Sequence, residues 1–573
     1  MKDVASQDST GADRDRCRDN SRSDATRLRR LPTIQVVGSE RLLSLAAFAM
    51  ALATSFAVAL WATRPSFGAE FGPIDDHEPL IWMGPDGRLG WSEFWKTLMH
   101  TEVGAWGGSG RFRPAYYVVR IVQTILFGDN PRAWYASVLV MFALACAFLG
   151  YTAATWVAAA ASGMKPRIRW PTMLVAAAAC PFLFAGMYAW SGIVGRLGPA
   201  ELPGLLGISV ALLSLTKLAR GGGRVWWIPA LLAVGTAMFA KESFVAFALV
   251  FPLVGMYRYR TLARDKVDFA AGLLGLLPVL LLALILGPDV VGRQQDVYGG
   301  AVGSSRLSGA VSSLSKPPLR QCLDAGATLL VAWVALTATI SRRERRGALF
   351  LLGVIVWLLA CAFFDAWFYG GQYPLPRYRA VVDLLTVLQY LGAGCLALVA
   401  VRRAWLLPFP VLAVATASLA ASALFIFRLV GPSNDNIHLT REAASHNAAA
   451  TVEYQHGLSE TLDRLSRAQD PVVAVVATIG SDYEPAYAIL NEVARRTNDD
   501  TREYLLVQPS ERGSAALRTM TRFARRGSRP WHIRPVDELQ REGGAVCVFL
   551  NRNPRPLHGC RRGAGVRVAA QGM

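Results

Sequence analysis

Four consecutive ionisable side chains, Asp75-Asp76-His77-Glu78, follow directly on the first long apolar segment of the chain. A carboxylate at such a place can take a proton from a hydroxyl, and a second can orient the loop or hold a cation. Adjacent residues face opposite ways in an extended backbone, so Asp75 and Asp76 cannot both address one substrate. His77 and Glu78 are candidate relays or acceptor-binding groups. The plain alternative is a solvated loop.

Cationic candidates lie further on. Arg111 and Arg113 flank Phe112 before Pro114, and Arg377 and Arg379 flank Tyr378 after Pro374 and Pro376. Guanidinium forks bind phosphate oxygens in pairs, so these could hold a lipid phosphate at a membrane surface. They could equally snorkel towards headgroups, and Arg379 could pair with Asp383 four residues on. Lys241 is a third phosphate-binding candidate, or the partner of Glu242 in an ion pair closing a helical hairpin. Gly480-Ser481 reads as an ordinary helix cap.

What positions these groups is a membrane. The 573 residues are 53% hydrophobic and 18% charged, and stretches of about twenty nearly uncharged residues recur, each able to cross ~30 Å of hydrocarbon. Spans are expected near 42–62, 133–160, 170–190, 202–218, 225–240, 243–257, 268–287, 323–340, 347–366, 380–401 and 405–428. Basic residues mark the cytoplasmic loops. Lys165, Arg167 and Arg169; Lys217, Arg220 and Arg224; Arg258, Arg260, Arg264 and Lys266; Arg342, Arg343, Arg345 and Arg346; and Arg402-Arg403 all fall on one side of an eleven-span arrangement. That puts the N-terminus inside and the acidic loop and C-terminus outside. The net charge of +19 is largely these loops, and no basic stripe interleaved with aromatics suggests a nucleic-acid partner.

The expected architecture is a disordered cytoplasmic tail (1–40), a polytopic α-helical bundle (41–430) and an extracytoplasmic soluble α/β domain (431–573). Three outer segments are long: 63–131, 288–321 and 365–379. In the first, Trp91, Phe94, Trp95 and Leu98 fall on one helical face suited to an interface plane. The run after Pro114 is broken by Arg120 and Gln123, so it reads as a helix resting on the bundle and not as a span. In the C-terminal region Pro471–Thr478, Glu503–Gln508 and Ala545–Leu550 read as strands, with apolar helical faces at 486–494 and 511–525. Cys547 and Cys560 could form a disulfide in an oxidising compartment. No Cys/His spacing of metal type occurs.

The motifs, taken in order, resemble the GT-C superfamily of polytopic glycosyltransferases, which take sugars from polyprenyl-phosphate carriers. Asp75-Asp76 after the first span resembles its first-loop acidic signature. Arg113-Pro114 with Phe127-Gly128-Asp129-Asn130-Pro131, Lys241-Glu242 and Pro376-Arg377-Tyr378 resemble three further stretches, so the likeness covers about residues 40–400. Here Pro73-Ile74 precede the acids where the superfamily often has an aromatic, which leaves the base open between Asp76, the first choice, and Asp75.

The resemblance implies an inverting transfer of a sugar to an acceptor hydroxyl of a glycan, lipid or protein. Asp76 or Asp75 would be the base, and Arg113, Lys241, Arg377 and Arg379 would compensate the lipid phosphate. No cofactor is required, although Asp75 and Asp76 could take a divalent cation. The implied location is a multi-pass plasma (inner) membrane protein with an outward-facing site, and the Ala/Arg/Gly-rich composition suggests a bacterial one. A flippase for lipid-linked glycans would need ionisable groups inside its spans. A non-catalytic scaffold presenting the C-terminal domain would leave the outer loops dispensable.

Overall fold

A computed structural model describes residues 33–72, 77–83, 86–104, 106, 111–162, 164, 166–262, 265–292, 304–341, 344–371, 373, 375–404 and 409–467, and five strands beyond residue 470. The protein is mainly helical. In chain order the helices are α1 (Thr33–Thr63), α2 (His77–Trp82), α3 (Phe94–Met99), α4 (Pro114–Phe127), α5 (Pro131–Ala160) and α6 (Pro166–Ala185). Then come α7 (Glu201–Ala219), α8 (Trp227–Ala240), α9 (Val250–Tyr257), α10 (Lys266–Leu274) and α11 (Leu277–Gly292). The last are α12 (Ser304–Ser313), α13 (Leu319–Thr337), α14 (Arg345–Phe368), α15 (Ala380–Ala404) and α16 (Phe409–Arg467).

Local chemistry sets several of these boundaries. Proline begins both α4 and α5, where its missing N–H costs nothing. Asn130 caps α5 by accepting from the Ala133 amide at 3.4 Å. Between them Gly128 adopts φ +55°, which only glycine enters freely, and its carbonyl accepts from the Trp134 indole at 2.9 Å. Arg120 and Gln123, the polar breaks in the run after Pro114, are buried: Arg120 donates to the Leu197 carbonyl at 2.6 Å and Gln123 to Ser137 Oγ at 2.7 Å. The helix therefore lies on the bundle, as its sequence suggests. Along the Trp91–Leu98 stretch Leu98 is buried, while Trp91 and Trp95 stand exposed.

Eight helices are long and apolar enough to cross a membrane, among the described residues: Glu40–Gly68, Pro131–Ala160, Ile168–Ala185, Glu201–Ala219, Lys266–Leu286, Leu319–Thr337, Arg345–Phe368 and Pro376–Arg403. They pack through small residues, as helices in lipid do. A Cβ on Gly207 would come within 2.6 Å of the Ala233 carbonyl oxygen, and one on Gly150 within 2.5 Å of Pro181 Cγ.

The expected fold class is corrected in two respects. The first is the count of eleven spans. The pair expected at 225–240 and 243–257 is broken at Lys241, whose backbone is extended, and a 3₁₀ stretch runs Glu242–Leu249. What remains is a 14-residue α8 and an 8-residue α9, about 21 and 12 Å long against the ~30 Å of a bilayer core. The segment expected at 405–428 is helical from Phe409 onward, its described apolar stretch Phe409–Leu424 forming the start of a 59-residue helix.

The second correction concerns the C-terminal α/β domain. Residue 430, where the composition turns polar, is not a boundary, because α16 runs through it to Arg467. Composition marks where a helix leaves the apolar layer, which need not be where a structural unit ends. Beyond it the described residues hold only β1 (Val472–Val476), β2 (Glu503–Gln508), β3 (His532–Pro535), β4 (Ala545–Leu550) and β5 (Arg567–Gln571). These pair in parallel in the order β3-β2-β1-β4-β5. After α16 no further helix is among the described residues, so an α/β domain is not supported. The faces at 486–494 and 511–525, Cys560 and the tail to residue 32 lie outside the described residues.

At the end of the bundle rich in Arg and Lys, a buried clamp ties four elements. Arg258 donates to Asp268 at 3.0 Å and to the carbonyls of Leu218 and Gly222 at 2.6 and 3.0 Å. Trp227 donates to the same carboxylate at 2.8 Å, and Arg224 bridges to Asp265. The guanidinium thus satisfies the open carbonyls at the end of α7. Replacing Asp268 by Ala strands a buried guanidinium, and the expected loss is about 3–5 kcal/mol, read as a lowered unfolding midpoint in detergent or lipid.

Candidate functional site

The opposite end of the bundle collects the ionisable groups. Glu201 opens α7 and Lys241 ends α8, and their side chains pair at 3.2 Å with 3% and 4% of their surface exposed. The Lys241 ammonium stands 5.4 Å from the Tyr378 ring centroid, and the Arg377 guanidinium 5.5 Å from the same ring. Arg377 is also near enough for its charge to act on Glu201. Tyr378 stacks on Tyr369 with centroids 4.9 Å apart. Lys241, Arg377 and Tyr378 therefore form one cationic and aromatic group around a single buried carboxylate.

Two further acids flank it. Asp365, near the end of α14, is wholly buried, accepts from the Tyr373 hydroxyl at 3.3 Å and feels the charge of Lys241. Burial, with Asp365 beside it, pushes the Tyr373 hydroxyl well above the usual phenol range. Asp383, on the first turn of α15, accepts from Arg379 at 3.1 Å and from the Ala189 amide at 3.1 Å. Arg379 lies over Tyr188 at 4.6 Å. It is thus the expected local pair with Asp383, and it ties α15 to the 3₁₀ turn Tyr188–Gly192.

Arg113 is held differently. Its guanidinium makes a forked contact with Glu102, with Nη2 at 3.0 and 3.1 Å and Nε at 3.2 Å, and it stands 5.2 Å from the Tyr116 ring. The neighbouring Phe112 packs edge-on to Phe239 at 6.3 Å, two residues before Lys241. Tyr116 and Tyr117 share an apolar cluster with Ala200 and Ala240. The segment carrying Arg113 therefore adjoins the Glu201–Lys241 pair.

Of the acidic tetrapeptide, Asp75 and Asp76 lie outside the described residues, while His77 and Glu78 begin α2. The chain leading to them is firmly held. Glu70 N–H donates to Thr451 Oγ1 at 3.0 Å, Gln455 donates to the Phe71 carbonyl at 2.7 Å, and Arg441 donates to the Trp61 carbonyl at 2.6 Å. All three partners belong to the outer part of α16. The same helix reaches the Gly186 carbonyl through Asn436 at 2.8 Å and the Tyr135 hydroxyl through Asn447 at 3.1 Å. It crosses this end of the bundle as a strut.

Residue-by-residue inspection of the sequence overlooked Glu201, Glu102 and Asp365 as site components. Glu201 and Asp365 carried a readable signal: a lone carboxylate near the end of an otherwise apolar span. Glu102 carried none. Among the described residues no group of three His, Cys, Asp or Glu side chains is placed to hold a metal ion.

No protein-family model matches the chain, and comparison with curated proteins gives no match. The fold and this site define a helical membrane protein with a charged cluster at one end of its bundle.

Two measurements check this geometry. Thr451→Val removes the acceptor for the Glu70 amide, and loss of about 1 kcal/mol should speed its hydrogen exchange roughly fivefold, leaving the basic end unchanged. Tyr373 should stay protonated at ~pH 11, where ordinary tyrosines ionise. Its raised value favours the folded state below about pH 10 and loses that contribution as the pH climbs through it. A spectrophotometric titration of the protein and of Tyr373→Phe should then show the same phenolate signal up to ~pH 11.

Proposed function

We propose that the chain is an inverting glycosyltransferase that moves a sugar from a polyprenyl-phosphate carrier to an acceptor hydroxyl at the outer membrane face. The observation carrying this reading is the grouping of Lys241, Arg377 and Tyr378 around Glu201. It lies at the bundle end where α16 secures the segment entering Asp75-Asp76. The likeness of the four short motifs to the GT-C superfamily points the same way.

In this reading Asp76, or Asp75, takes the proton of the acceptor hydroxyl as its oxygen attacks the anomeric carbon. The bond from that carbon to the phosphate oxygen breaks with inversion, and the electron pair leaves on the lipid phosphate. Lys241 and Arg377 meet that charge in a site of low polarity, where preorganised cations count most. Lys241, Arg113 and Arg379 are each already paired with a carboxylate, so a bound phosphate would share these cations with Glu201, Glu102 and Asp383. His77 and Glu78 remain acceptor-side candidates, and Asp75 and Asp76 the place where a divalent cation would act.

One observation favours a second reading, a transporter of lipid-linked glycan: Asp365 is buried inside α14 with no cation bonded to it among the described residues. Its place near the end of the helix, beside Lys241, suits a surface site better than a path through the bundle.

The deciding experiment supplies purified protein in lipid with polyprenyl-phosphate sugars and follows donor consumption. Asp76→Asn should lower turnover about 10²–10⁴-fold while leaving folding and donor binding intact. Full turnover in both single Asn variants and in the double variant would remove the base assignment. Sugar crossing the bilayer without donor consumption would favour the transporter.

A further inference from the structure

Glu242 stands apart from the other buried acids among the described residues. Glu201 has Lys241, Asp383 has Arg379, Glu102 has Arg113, Asp268 has Arg258 and Trp227, and Asp365 has Tyr373. Glu242 is 9% exposed, yet neither of its carboxylate oxygens has a hydrogen-bond partner among the described residues. The lysine beside it in sequence does not serve it, because Lys241 is extended and pairs with Glu201 instead. Leaving such a group without donors is a standing cost to folding.

Its surroundings hold it there. The 3₁₀ stretch Glu242–Leu249 is wedged between α7 and α14: the Phe244 ring fills the space beside Gly204, and Trp357 donates to the Ala246 carbonyl at 2.9 Å. The carboxylate therefore cannot swing away with a mobile loop. It belongs to a rigid element that begins one residue after the proposed phosphate-binding lysine.

We propose that Glu242 recognises the sugar of the donor, its two carboxylate oxygens accepting hydrogen bonds from neighbouring hydroxyls of the transferred unit. This inference rests on the donor reading above and adds the group that distinguishes a glycosylated carrier from the bare lipid phosphate. A carboxylate only accepts hydrogen bonds, and vicinal sugar hydroxyls present two O–H donors at a spacing that matches its two oxygens. A residue kept buried and unsatisfied until ligand arrives exchanges stability for binding, so removing it should stabilise the empty protein.

The test compares wild type, Glu242→Gln, Glu242→Leu and, as a distant control, Glu344→Gln in lipid nanodiscs. The probes are polyprenyl phosphate alone, the same lipid bearing one mannosyl, glucosyl, galactosyl or arabinosyl group, and Mg²⁺ or Mn²⁺ alone; the readouts are unfolding midpoint and affinity. In wild type and the control, at least one glycosylated lipid should bind ten- to a hundredfold more tightly than the bare lipid. Both Glu242 variants should lose that preference while keeping their affinity for the bare lipid, and Glu242→Leu should unfold at a higher temperature when empty.

A preference retained in both variants overturns the role of Glu242 and leaves the phosphate reading standing. Stabilisation by the cation alone that vanishes in the variants assigns the residue to a metal and overturns the proposal. Failure of wild type to bind any of the lipids overturns both readings together.

Discussion

The buried pair between Lys241 and Glu201 is the contact on which this end of the molecule depends. Two charges at 3.2 Å with almost no exposed surface are costly to take from water, and their attraction repays that only while both are present and well placed. The pair joins the first residue of α7 to the residue that ends α8. Close contact of Gly207 with Ala233 and Ala237 brings the same two helices together within the bundle. With Lys241 drawn towards Glu201, its backbone is extended, and α8 stops short of a full span. The 3₁₀ stretch from Glu242 and the position of Tyr378 over the ammonium follow from that break.

The outer part of α16 is the second constraint. A helix that continues unsupported beyond an apolar layer would fray, since most helical stability in proteins comes from packing. Here the helix is held by side-chain contacts to Trp61, Glu70, Phe71, Tyr135 and Gly186. Those contacts run both ways: they order the helix, and they fix the exit of α1 just before the acidic tetrapeptide. Residues nearly four hundred positions later in the chain thereby set where the segment after α1 leaves the bundle. A polar stretch that reads as the start of a separate domain is part of the site's frame.

Charge is sorted by end. One end gathers Arg224, Arg258, Arg402 and Arg403 with Asp265, Asp268 and Glu344, where guanidinium groups close helix carbonyls. The other gathers lysine, arginine and tyrosine rings with five buried carboxylates, Glu102, Glu201, Glu242, Asp365 and Asp383. In the first, each carboxylate faces a guanidinium, with Asp268 Oδ2 3.9 Å from Arg224 Nε, and the arrangement reads as structural. In the second, Asp365 and Glu242 have fewer donors than their burial calls for, and that imbalance separates a candidate binding site from a clamp.

The sequence by itself determined the helical membrane character, most of the long spans and the helix resting on the bundle after Pro114. Each depends on composition and local periodicity, which a contiguous window of residues carries. It also pointed to Lys241, Arg377 and the Arg379–Asp383 pair, because charges beside apolar runs are conspicuous. It misjudged the segment around Lys241, where hydropathy cannot register a backbone break caused by a distant carboxylate. It placed a boundary at residue 430 because composition cannot tell a helix leaving the apolar layer from a new domain. Only the tertiary structure decided that Glu201 pairs with Lys241, that Glu102 holds Arg113, and that Glu242 finds no donor among the described residues. Those outcomes depend on which side chains meet in the folded bundle, and neither hydropathy nor local periodicity registers such pairings.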